Sequence, residues 1–108
     1  MNYPVITTSL IGTLLKTNAE PYSNAEIIIE MTDADNSFIG MRSSAYCDEE
    51  GKYNFKIMGG YYNLYILENP DAVETKIGKV HVSPSDYDRV YTIEELLNKW
   101  INILFLLV

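Results

Sequence analysis

From Lys52 to Leu67 the chain alternates. Tyr53, Phe55 and Ile57 interleave with Lys52, Asn54 and Lys56; after Gly59-Gly60, Tyr62, Leu64 and Ile66 interleave with Tyr61, Asn63 and Tyr65. A period of two sends successive side chains to opposite faces of a strand. A Gly pair can take the positive φ angles of a two-residue connection. The stretch therefore predicts a β-hairpin with one apolar face, and that face needs a second sheet to bury it.

Similar signals recur along the chain. Residues 1–8 read as an extended arm, because Pro4 cannot occupy a central strand position. Ser9 to Thr17 is the first strand candidate, with Gly12 marking a bulge or a close backbone approach. Pro21 lies in a polar turn, and Ala25 to Thr32 follows as a strand whose run Ile27-Ile28-Ile29 suits a β core. Phe38 to Tyr46 reads as a weaker strand, with Arg42, Ser43 and Ser44 suggesting an edge. Lys76 to Val82 is a further strand, with Gly78, Val80 and Val82 on one face and Ile77, Lys79 and His81 on the other. Ser83-Pro84-Ser85-Asp86 ends it, and residues 87–91 are extended or irregular. Short strands separated by frequent turn signals point to a β-sandwich.

The C-terminus changes period. Thr92 with Glu95 three positions on forms a capping box. Ile93, Leu96, Leu97, Trp100, Ile101, Leu104 and Val108 then recur at helical spacing. A helix of about 16 residues is about 24 Å long. From Trp100 onward Ile103, Phe105, Leu106 and Leu107 make the other faces apolar too. One sheet covers a stripe of only about 100°, and a membrane span needs about 20 apolar residues, roughly twice this run. Other copies of the same helix remain as the covering. Each buried Leu or Phe contributes about 1.5–3 kcal/mol, so Leu97, Trp100, Ile101, Leu104 and Val108 are the expected oligomer seam.

Composition narrows the function. The 108 residues suffice for one domain with a modest core. A formal charge of −7, with the eight basic residues scattered, argues against a nucleic-acid partner. The lone Cys47 cannot form an internal disulfide, and the N-terminus has neither the basic nor the long apolar region of a signal peptide. An origin in a cytoplasm is expected.

Chemistry is sparse. His81 stands alone on the polar face of its strand, without the nucleophile and orienting acid that a catalytic base requires. Cys47 sits beside Asp48, with no basic neighbour to lower its pKa, and reads as a small buried or half-buried thiol. Asp33-Ala34-Asp35-Asn36-Ser37 starts like a calcium loop, but Phe38 stands where its Gly belongs and Ser44 where its final acid belongs. No cofactor, no metal site and no catalytic residue are expected, and the chain does not read as an enzyme. Tyr61 and Tyr65, on the outer face, are the candidate partner interface.

The order Ile11-Gly12-Thr13-Leu14, the Pro21 turn, Ala25 with the Ile run, Asp48-Glu49-Glu50-Gly51-Lys52-Tyr53-Asn54-Phe55 and Gly60-Tyr61-Tyr62-Asn63-Leu64 resembles the carboxypeptidase-regulatory-like, or prealbumin-like, sandwich. Asp48, Gly51, Tyr53 and Phe55 match its turn-strand pattern; Gly60, Tyr62 and Leu64 match its next strand. Val80-His81-Val82-Ser83-Pro84-Ser85-Asp86, followed by Thr92-Ile93-Glu94-Glu95-Leu96-Leu97, gives a layout similar to the N-terminal domain of phage and prophage side tail fibres over residues 8–98. The resemblance implies a mainly β fold: a small Greek-key sandwich over residues 9–91, with a C-terminal α-helix over 92–108. It further implies a structural virion protein, made in the bacterial host cytoplasm, that anchors a trimeric fibre to the phage tail or baseplate. Its partners would be itself, as a homotrimer through the helix, and tail proteins. The sequence departs from that family in having no distal fibre after the helix. The alternative is a prealbumin-like binding module of a bacterial surface or carbohydrate-handling protein. A transthyretin-type hydrolase would need several His residues, and there is one.

Overall fold

The computed structural model describes residues 4–33 and 38–106, with side-chain surroundings for 4–33 and 41–99. The protein is mainly β. Among the described residues seven strands form two sheets and are followed by one helix: β1 Thr7–Thr13, β2 Glu26–Thr32, β3 Phe38–Tyr46, β4 Lys52–Met58, β5 Gly60–Leu67, β6 Thr75–Val82, β7 Val90–Tyr91 and α1 Ile93–Leu106. A 3-10 turn at Pro84–Asp86 joins β6 to β7. One sheet has the order β4-β1-β7 and the other β3-β2-β5-β6. The chain therefore changes sheet after β1, β3, β4 and β6, which makes a small β-sandwich.

The core lies between the sheets, where the two alternating patterns meet. Leu10, Ile57 and Tyr53 from one sheet face Ile27, Ile29, Leu64, Val80 and Val82 from the other, all buried. Ile28 points to the outer face, in register between Ser44 and Tyr65, and is buried as well.

The expected hairpin over residues 52–67 is not formed. β4 pairs antiparallel with β1, from Thr7 opposite Met58 to Thr13 opposite Lys52, while β5 pairs with β2 and β6 in the other sheet. The Gly59-Gly60 corner carries the chain across the sandwich instead of back along the same sheet. Period-two alternation is the same for both arrangements, because each turns its apolar face inward. The corner's geometry decides. Tyr62 donates its hydroxyl proton to the Met58 carbonyl at 2.8 Å. A Cβ on Gly59 would lie 2.2 Å from the Tyr87 hydroxyl oxygen, so Gly59 serves a close approach.

Other boundaries shift. The first strand starts at Thr7, taking two residues from the expected arm, and stops at Thr13; Leu15 and Pro21 then close a turn as an isolated bridge. Gly12 makes room for the Tyr53 hydroxyl, 2.5 Å from where a Cβ would sit, with no break in register. Residues 90–91 form a short strand parallel to β1. In β6 the register shifts between Lys76 and Gly78, and Ile77, expected on the polar face, packs against the core. Asp48 Oδ1 accepts the backbone N–H groups of Glu50 and Lys52 at 2.8 and 2.9 Å, which fixes the turn into β4.

Candidate functional site

The root of α1 is held by several interlocking polar contacts. The capping box is present: the Thr92 N–H donates to Glu95 Oε1 at 2.9 Å, and the Glu95 N–H donates to Thr92 Oγ1 at 3.1 Å. The first amide of the helix, Ile93 N–H, donates to the Tyr53 hydroxyl at 2.9 Å. A core tyrosine thus satisfies one of the donors that a helix leaves open at its start. Burial pushes the Tyr53 hydroxyl up to about 12; the Ile93 N–H opposes this, and Glu94 and Glu95 add to it.

Two turns of the helix then dock. Ile93 and Leu96 are buried. Leu97 lies over Gly78, with its Cδ2 2.5 Å from the position of a Cβ there. A Cβ on that residue of β6 would push this methyl aside, and the φ of +154° there is one that side chains rarely adopt, so glycine suits the seat. Lys99 reaches back to the Asp86 carboxylate.

Asp86 is the knot that ties these elements together. It is only 1% exposed. Oδ2 accepts the Ser83 N–H at 2.9 Å and the Ser83 hydroxyl at 3.0 Å; Oδ1 accepts the Tyr91 hydroxyl at 2.9 Å and the Lys99 ammonium. Its backbone carbonyl accepts the Thr8 hydroxyl at 2.7 Å. Burial alone would raise the Asp86 pKa. The Lys99, Ser83 and Tyr91 hydrogen bonds outweigh it and bring the pKa to about 2. The carboxylate therefore links the end of β6, β7 and α1, and the backbone carbonyl of the same residue adds β1.

Of the expected oligomer seam, Leu97 is partly buried against its own sandwich. Trp100, Ile101 and Leu104 lie in α1 with side chains outside the described residues, and Val108 lies outside them altogether. The candidate interface residues Tyr61 and Tyr65 both lie on the outer face of β5, half-buried and already engaged. Tyr61 stacks on His81 with ring centroids 4.1 Å apart, and the Arg42 guanidinium sits 5.3 Å from the Tyr65 centroid. Tyr65 donates to Glu30 Oε1 at 3.0 Å, beside Asn63 at 3.1 Å. The Asn63 bond, joined by Tyr65 and Arg42, holds the Glu30 carboxyl below the usual range against its partial burial. Arg42 also pairs with Glu74.

Burial pushes the His81 pKa down; Asp86 pulls it up and Lys99 pushes it down again. Cys47 is buried, and burial, then the Asp48 charge, pushes its thiol up. Most of the calcium-like run, residues 34–37, lies outside the described residues. Among the described residues no group of three or more His, Cys, Asp or Glu is placed to hold a metal ion, and no helix is long and apolar enough to cross a membrane.

Comparison with protein-family models and with curated proteins finds no match for the chain. The roles of Asp86 and Tyr53 in holding the root of α1 are not apparent from local sequence. Ser83-Pro84-Ser85-Asp86 carries the spacing of a capping box, and that was the available signal for Asp86.

Proposed function

We propose that this is a non-catalytic structural protein of a virus particle, the anchor or adaptor of a phage tail fibre, whose copies join as a homotrimer through the second half of α1. The observation that carries the reading is the contrast within one helix. Up to Lys99 every turn is held by its own sandwich through Tyr53, Gly78 and Asp86. Past Lys99, Asn102 is the one polar residue among nine. A helix fixed so rigidly at its root presents the remaining turns in one direction, and apolar turns need a cover.

The likeness to side tail fibre N-terminal domains in the order of strands, Ser-Pro loop and helix supports the virion assignment. The alternative, a carbohydrate-handling binding module, is less favoured. Sugar recognition uses open aromatic faces, and Tyr61 and Tyr65 already carry His81 and Arg42.

Light scattering on the full chain tests the assembly: a mass three times 12.3 kDa is expected. Removing residues 100–108 while keeping Lys99 should give a folded monomer. A full-length monomer would remove the trimer from the proposal. Mass spectrometry of particles purified from a producing culture tests the virion assignment, which fails if the chain is absent from them.

A further inference from the structure

The geometry points to an empty strand position beside β4, built for an extended segment of a partner protein with alternating apolar and acidic side chains. β3 and β4 leave the Cys47–Gly51 turn together but join different sheets, so they splay apart. The cavity between them is about 220 Å³, lined by Ile29, Met31, Met41, Ile57, Met58 and Tyr62 together with the polar Arg42, Ser43 and Lys56. The inward face of β3 is set by its register, Ser43 opposite Ile29 and Ala45 opposite Ile27. On that face Met41 is nonetheless 60% exposed. At Met41 the inward face of β3 is thus left uncovered, although Ala45 nearer the turn packs against the core.

The free edge of β4 supplies the hydrogen bonds. Lys52 turns both its N–H and its C=O away from β1, toward Asp48. Alternation along the strand turns Asn54 and Lys56 the same way. Among the described residues no partner meets their backbone on that side. An added strand would pair there, as in β-augmentation.

Complementarity defines the occupant. Inward side chains of the added strand would enter the partly methionine-walled cavity, whose flexible walls accept varied apolar shapes. Outward side chains would lie beside Lys56, where opposite charge is favoured; Lys52 is already paired with Glu50. The chain as a whole carries −7, so a preference for acidic residues at this edge would be local. The slot lies away from α1, which packs on β6, β1 and β7, and the inference does not depend on helix self-association.

The test uses the full chain and two synthetic blocked pentapeptides, Val-Glu-Val-Glu-Val and Val-Lys-Val-Lys-Val, with amide hydrogen exchange read residue by residue. The Glu peptide should protect the Asn54 and Lys56 amides. Lys56→Glu, an exposed substitution, should weaken it by about tenfold and favour the Lys peptide. No protection from either peptide, or protection centred on β3, would overturn the proposal. Protection of Asn54 and Lys56 without peptide, rising with protein concentration, would assign the slot to a second copy and equally overturn it.

Discussion

The sandwich has two open seams, and the chain treats them differently. At β6 and β7 the gap is closed by α1, with buried Ile93 and Leu96, Leu97 seated on Gly78, and a buried carboxylate. At β3 and β4 the gap is left open and lined in part by methionines. Both seams are apolar, so hydrophobicity alone does not distinguish them. The closed seam is specified by polar groups of fixed geometry, Tyr53, Thr92, Glu95 and Asp86, which require one helix in one position. The open seam has backbone groups and flexible side chains, which specify a kind of strand and leave its identity free.

The largest break of this contrast is Leu96→Ala. Leu96 is 1% exposed, and removing a core leucine costs about 2–5 kcal/mol. Urea unfolding should show that loss, with the first turns of α1 losing hydrogen-exchange protection before the strands do. An unchanged midpoint would mean that the helix adds nothing to the closed seam.

Asp86 gives a smaller and pH-dependent effect. Its folded pKa of about 2 lies below the 3.8 of the free group, so the unfolded chain binds the proton more readily. Stability from this carboxylate is therefore fully present above about pH 4 and is lost as pH falls toward 2. The shift corresponds to at most about 2 kcal/mol, and less to the extent that Lys99, 37% exposed, stays hydrated. Asp86→Asn should lower the midpoint at pH 7 and flatten its decline between pH 4 and 2. An equally steep decline in the variant would assign the acid sensitivity to other carboxylates.

Tyr53→Phe sharpens the same point at lower cost. It keeps the ring in the core and removes the hydroxyl from the Ile93 N–H. About 1 kcal/mol is expected, measured by the same unfolding curves. A neutral result would show that water replaces the hydroxyl at the helix start.

The sequence made the strands legible wherever one face was apolar and the other charged, as in β4, and it made α1 legible through Thr92 and Glu95. It did not reveal which strands share a sheet. The Gly59-Gly60 step supports a hairpin on local chemistry alone; the pairing of β4 with β1 and of β5 with β2 and β6 makes it a corner, with Tyr87, 28 residues away, packed close on Gly59. Leu97 illustrates the same limit. Helical spacing placed it on an oligomer seam, while Gly78, distant in sequence, gives it a seat on its own sheet. Asp86 read as the end of a strand because its partners Thr8, Tyr91 and Lys99 come from three other segments. Local pattern records the periodicity of an element, and long-range pairing decides what that element touches.

The smallest effect is expected at the open seam, and it completes the comparison. Met41 and Met58 are 60% and 53% exposed. Replacing either with Ala removes little buried area and leaves no closed cavity, so each change should stay within about 0.5 kcal/mol. The same substitutions should nevertheless weaken the Val-Glu pentapeptide, because they remove the walls of its apolar slot. Leu96 and Met41 then separate cleanly: one loses stability, and the other loses binding alone. If Met41→Ala instead destabilised the fold as Leu96→Ala does, the β3–β4 seam would be part of the core and its vacancy would need another explanation.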